Sequence, residues 1–155
     1  MNPSTTIIVR ARPEQADALT RIALAAKRHW GYPERWIKIW TPLLTITPEF
    51  ITANEVWAAA IDGRAVAFYA LLENGDQASL EHLWVEPEFM GRGIGRDLFE
   101  HACARARALG HPVLIVEADP HAQGFYEHMG GRVTGQQIGE VDGAPRVLPI
   151  LEFDL

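Results

Sequence analysis

The sequence predicts an α+β domain, a mixed and largely antiparallel sheet flanked by helices. Three observations predict it. Short apolar and β-branched runs are joined by the hairpin pairs Asp62-Gly63 and Asn74-Gly75. The continuous apolar run Val113–Glu117 (VLIVE) has the pattern of a central strand covered on both faces. Finally, an apolar strand over Leu80–Val85 passes through a glycine-rich turn directly into a helix. The helix's apolar residues Ile94, Leu98, Ala102, Ala106 and Leu109 recur every three or four positions. The element order is β-α-α-β-β-β-α-β-α-β-β.

Met1–Ser4 read as a loose start, and Thr6–Ala11 as a strand by its β-branched content. Pro13 and Glu14 open a helix with Leu19, Ile22, Ala23 and Ala26 along one side, ending near Trp30-Gly31. A second, aromatic-rich helix spans Pro33–Trp40, after which Pro42 and Pro48 break the chain into short pieces. Val56–Ile61, Ala65–Leu72 and Leu80–Val85 form an antiparallel meander. The helix after the glycine turn closes at Gly110, with Pro112 just beyond. Asp119 and Pro120 open a last helix through His128, closed by Gly130-Gly131. Arg132–Ile138 and Arg146–Asp154 are the final strands, and Pro149 predicts an edge position for the last one.

The 155 residues suit one domain. Apolar residues make up 48% and charged residues 22%, ordinary globular usage, and the formal net charge is −6. That acidity argues against a nucleic-acid binder, which carries a basic face. The single cysteine, Cys103, excludes an internal disulfide framework and fits a reducing cytoplasm, where it reads as a small buried thiol. No apolar run reaches about 18 residues, so no membrane span is indicated. No export signal or metal site is read.

Gly91, Gly93 and Gly95 stand between strand and helix. The N–H groups of a first helical turn have no partner within the helix, and the helix dipole favours an anion there. The spacing fails the dinucleotide fingerprint, because Arg96 holds the place of its third glycine, and no Gly-Lys-Ser/Thr follows as in a P-loop. Arg92 and Arg96 lie at the helix's positive end, where each cation is disfavoured by roughly 0.3–1 kcal/mol. Asp97, Glu86 and Glu88 offset them, and a bound polyanion explains them better.

Met90-Gly91-Arg92-Gly93-Ile94-Gly95 resembles the acetyl-CoA-binding motif of the GNAT superfamily of N-acetyltransferases, Arg/Gln-x-x-Gly-x-Gly/Ala. Met90 replaces the family's Arg or Gln, removing one side-chain contact and leaving the backbone cradle. Downstream, Asp119-Pro-His-Ala122-Gln-Gly-Phe125-Tyr126 resembles the family's Asn-x-x-Ala-x-x-Phe-Tyr. Asp119 stands for Asn, and Gly131 occupies a place where an aromatic is common. The resemblance covers nearly the whole chain and implies the acyl-CoA N-acyltransferase (GNAT) fold over residues 1–155.

The resemblance implies direct transfer of an acetyl group from acetyl-CoA to a primary amine of a small molecule or peptide. Gly91, Arg92, Gly93, Ile94, Gly95 and Arg96 would hold the CoA pyrophosphate. Leu83, Trp84 and Val85 would pair with the pantetheine arm like an added strand, with the Val85 N–H on the thioester carbonyl. Asp119 joins the cofactor set by its motif position. Tyr126 is the candidate acid for the leaving thiolate, with Phe125 as packing. For the base, Glu81 is preferred to its neighbour His82, and the two face opposite sides of the sheet. His29, Trp30 and Tyr32, with Trp36 and Trp40 nearby, would line the acceptor pocket, where rings can hold a cation. His121 reads as surface. Homodimers are common in the family, but no stretch here marks an interface. The rival reading is a non-catalytic acyl-CoA-binding module on the same fold.

Overall fold

The computed structural model describes residues 5–155; the loose start read at Met1–Ser4 lies outside them. Seven strands form one mixed sheet in the order β1-β2-β3-β4-β5-β7-β6. They are β1 Thr6–Arg10, β2 Glu55–Ile61, β3 Arg64–Asn74, β4 Gln77–Val85, β5 Val113–Glu117, β6 Arg132–Val141 and β7 Ala144–Asp154. The helices are α1 Ala16–His29, α2 Glu34–Leu44, α3 Pro48–Ala53, α4 Ile94–Ala108 and α5 Gln123–His128. β4 and β5 pair in parallel, whereas β1–β2, β5–β7 and β6–β7 are antiparallel. Among the described residues, no helix is long and apolar enough to cross a membrane.

Two compact units divide the chain. One takes the chain up to Ala70 together with His82–His101; the other takes Leu71–Glu81 and Ala102–Leu155. In the first unit, α1 buries Ala16, Leu19, Ile22 and Ala23 against Ile51 of α3, Val56 and Ala58 of β2, and Phe68 and Ala70 of β3. Each large side chain in this cluster contributes about 1.5–3 kcal/mol by leaving water. Asp62 and Gly63 both have positive φ (51° and 78°), as a two-residue hairpin turn requires. In the second unit, β7 lies between β5 and β6, and the β6–β7 hairpin closes on Asp142-Gly143, again with positive φ at both residues.

Several expectations are corrected. Pro42 does not break the chain; α2 runs on to Leu44. Only the proline's own helical bond is lost, and the Thr41 and Thr45 hydroxyls donate to the Ile37 and Thr41 carbonyls, both at 2.7 Å. Pro48 begins a helix rather than ending a piece: it is the first residue of α3, capped by the Thr47 hydroxyl accepting from the Phe50 N–H at 3.1 Å. Pro149 lies in an interior strand, not an edge. Its carbonyl accepts the Ala118 N–H at 2.9 Å, just beyond the Glu117–Ile150 end of the β5 ladder. A strand residue's N and O point to the same side, so the missing N–H faces past β5 and the β6 ladder loses nothing. The Asn74-Gly75 turn shifts by one residue. Asn74 ends β3, and Gly75 (φ 63°) takes the first central position beside Asp76. Leu109 lies past the end of α4 and is 37% exposed.

Candidate active site

The first unit carries the glycine turn. β4 ends at Val85, whose successor Glu86 donates its N–H to the Val66 carbonyl at 2.9 Å. One tight turn over Pro87–Phe89 follows, and the chain then reaches Gly91 and Gly93 with φ of 78° and 83°. L-residues avoid this left-handed region. A Cβ at either glycine would meet nothing within 4 Å, so the glycines serve the backbone bend and the space in front of it is open. Gly95 lies inside α4. The helix's first backbone bond runs from the Asp97 N–H to the Gly93 carbonyl at 3.0 Å. The N–H groups of Ile94, Gly95 and Arg96 precede it and have no acceptor within the helix. An open bend lined by backbone donors at the positive end of a 15-residue helix fits a polyanion.

Both arginines at this turn are exposed. Arg92 reaches back to the Glu88 carbonyl at 3.3 Å and lies 5.0 Å from the Phe89 ring centroid. Arg96 pairs with Glu100 at 3.2 Å, one helical turn on. Leu83, Trp84 and Val85 are half-buried at the end of β4. The β4–β5 ladder runs Gln77–Val113, Ala78–Leu114 and Ser79–Ile115, and stops before β4 reaches Leu83.

Alternation along β4 leaves Glu81 exposed and buries His82. The His82 ring lies 5.8 Å from that of Phe50 and 6.0 Å from that of Phe68, and the Trp84 indole N–H donates to its Nδ1 at 3.0 Å. Burial takes its pKa down to about 4. His82 is therefore a neutral imidazole at pH 7, with Nδ1 used as an acceptor and Nε2 carrying the proton.

Of the residues expected to line an acceptor pocket, the structure brings together Tyr32, Trp36 and Trp40. Trp36 stacks on Tyr32 at 5.9 Å, and Trp40 meets Tyr32 edge-on at 4.9 Å. Trp36 meets Trp40 at 5.8 Å, and the rings of Tyr32, Trp40 and Trp84 gather round the chain's own Lys27. His29 and Trp30 lie exposed at the end of α1, as an edge-on pair at 5.5 Å. Lys27 was missed from the sequence, although it falls four residues after Ala23 and eight after Leu19, on the helix's buried row.

The second unit holds Asp119 and Tyr126. Asp119 Oδ1 accepts the His121 N–H at 2.9 Å, and Oδ2 accepts from Arg146 at 3.1 Å, with both side chains largely buried. The charged replacement for Asn thus has a cationic partner, Arg146, which no local pattern announced. Tyr126 is 6% exposed, with its ring edge-on to Phe125 and Phe153. Burial raises its pKa, so the phenol keeps its proton. Gly131 lacks an aromatic for a steric reason: a Cβ there would stand 2.6 Å from the Phe153 ring and 3.0 Å from the Tyr126 carbonyl. Among the described residues, no group of three or more His, Cys, Asp or Glu side chains is placed to hold a metal ion.

The open glycine bend and the unpaired N–H groups at the head of α4 make a site for a polyanion. Residues 52–130 match the acetyltransferase (GNAT) domain family. The peptidyl-lysine N-acetyltransferase YjaB of Salmonella typhimurium is 32% identical over 108 residues, 70% of each chain. Two solved structures share the fold. A GCN5-related N-acetyltransferase from Rhodopseudomonas palustris superposes with TM-score 0.81 at 22% identity, covering 100% of this chain and 99% of that one. The PaiA N-acetyltransferase from Thermoplasma acidophilum, solved in complex with coenzyme A, gives 0.76 at 19% identity over 97% and 99%. The chain belongs to the GNAT family and is an acetyl-CoA-dependent N-acetyltransferase.

Proposed function

We propose that the protein acetylates a primary amine of the lysine side-chain type, in a peptide or a small molecule, and that residues 1–155 act as one catalytic domain. The open bend at Gly91 and Gly93, leading to the unpaired N–H groups of α4, carries this reading. The peptidyl-lysine relative supports the amine type. Acetyl-CoA supplies the activated acyl group.

The chain's own groups have distinct tasks. The N–H groups of Ile94, Gly95 and Arg96 bind the pyrophosphate, with Arg92 and Arg96 as charge partners. The backbone of Leu83–Val85 pairs with the pantetheine arm, and the Val85 N–H polarises the thioester carbonyl. The amine nitrogen bonds to the carbonyl carbon, the C–S bond breaks and its electron pair goes to sulfur. Tyr126 Oη holds the proton for that sulfur. Glu81 leaves β4 on the face opposite His82 and Trp84, so it takes the amine's proton through ordered water. His82, neutral and already accepting from Trp84, holds the strand. Asp119 supports the cofactor side by fixing the turn before α5. The buried Cys103 thiol is in keeping with a reducing cytoplasm.

Thermal shift with acetyl-CoA tests the cradle, and thiol release over a panel of amines tests turnover. A cofactor-dependent rise in Tm and release with lysine-type amines are expected. No stabilisation at millimolar cofactor overturns the reading.

A further inference from the structure

β6 ends the sheet, so one of its edges has no strand beside it. β5 reaches along β7 only as far as Ile150, which pairs with Glu117. Residues 144–148 of β7 therefore have β6 as their strand partner, and the two run out as a ribbon to the turn at Asp142-Gly143. A two-stranded ribbon is marginal in water unless further strands or a helix join it.

The register shows what the free edge offers. Pro145 lies opposite Glu140, and Pro149 opposite Gln136. Proline has no N–H to give, so these are the pairs whose main-chain groups point away from each other. The two kinds of pair alternate, which puts Ile138, opposite Val147, in the same class. Gln136, Ile138 and Glu140 thus turn their N–H and C=O groups to the open edge. Regular pairing runs over residues 135–141 and is interrupted between Val133 and Gly135. Ile138 is the midpoint of that stretch. Its side chain is 74% exposed and stands beside Val147, 43% exposed, on one face of the ribbon. Sheet edges are commonly guarded by lysine or proline. Residues 135–141 contain neither.

An antiparallel copy of the same stretch fits this edge. A two-fold axis that uses all of residues 135–141 must pass through Ile138. It sets Ile138 against Ile138 of the second copy, and Gln136 against Glu140. Apolar meets apolar, a carboxamide meets a carboxylate, and no like charges face each other. We propose that the protein forms a two-fold dimer in which β6 pairs antiparallel with β6 of a second copy, with the axis at Ile138. The main-chain groups of Gln136, Ile138 and Glu140 find partners, and each ribbon becomes part of a four-stranded arrangement. The proposal does not depend on the transferase reading.

Sedimentation of the wild type from micromolar to sub-millimolar concentration should show a monomer–dimer equilibrium. Ile138→Lys places two ammonium groups across the axis and should shift the protein to monomer, with its circular dichroism retained. Cysteine cross-linking tests the register separately. Paired residues across the axis have Cα atoms about 5.5 Å apart, within the span of a disulfide. The two Val147 positions, one strand further out on each side, are about 14 Å apart. The chain's own Cys103 is buried. Under mild oxidation, Ile138→Cys should give a covalent dimer and Val147→Cys should not. A wild type that stays monomeric throughout, a dimer that survives Ile138→Lys, or Ile138→Cys that links no faster than Val147→Cys overturns the proposal.

Discussion

The Trp84 indole N–H donates to Nδ1 of His82 across 3.0 Å, between alternate residues on one face of β4. This bond fixes the tautomer of a buried imidazole and the tilt of a ring that also faces Lys27. Structure and aromatic cluster are joined through this pair.

Acid sensitivity follows from that burial. The folded pKa of His82 is depressed from 6.5 to about 4, so below about pH 6.5 the unfolded chain binds a proton that the folded one refuses. His82's contribution is intact above 6.5 and is lost as pH falls toward 4, by about 3 kcal/mol across that window. Urea denaturation from pH 7 to pH 4, compared with His82→Leu, measures it. The two stability curves should differ in slope across this window; parallel curves would show that His82 is not the group responsible.

Gly93→Ala places a Cβ on a backbone held at φ 83°. The strain should cost about 1–2 kcal/mol, and relief by local rearrangement should misalign the α4 N–H groups. Calorimetry with CoA is expected to show roughly tenfold weaker binding, about 1.4 kcal/mol, with the fold retained. Unchanged affinity would place the cradle elsewhere.

Tyr126→Phe removes one oxygen from a ring packed against Phe125 and Phe153. CoA binding should persist while single-turnover transfer slows by about a hundredfold or more, the contribution expected of a general acid. Equal transfer rates would remove Tyr126 from the chemistry.

His111 Nε2 lies 2.7 Å from Glu73 Oε1. That bond, opposed by burial and aided by the carboxylates of Glu73 and Asp76, raises the His111 pKa above 6.5. The sign is opposite to that of His82. The stabilisation is present in full below about pH 6.5 and is lost as pH rises through the folded value. Glu73→Gln should flatten this part of the stability profile between pH 6 and pH 9, measured by denaturation. An unaltered slope would show that the pair contributes nothing to it.

Much of the architecture was legible because it is locally encoded. Val113–Glu117 is a strand as its apolar run predicts, and Asp62-Gly63 turns because both residues tolerate positive φ. Prolines misled, because their effect depends on what lies where the N–H would point. Pro42 sits near a helix end, Pro48 is a first helical residue, and Pro149 faces past the end of β5. The glycine bend was legible for the same local reason as the hairpin. The Lys27 cluster was not, because its rings come from α2, the loop before it and β4.

The sequence by itself determined the sheet's main elements and the glycine bend, since periodicity and turn propensity act within a few residues. Only the tertiary structure decided that the aromatic cluster encloses Lys27, that Asp119 pairs with Arg146, and that Gly131 has no room for a ring. These depend on residues distant in the chain being brought within a few ångströms, and no local pattern encodes which distant side chain will fill a given space.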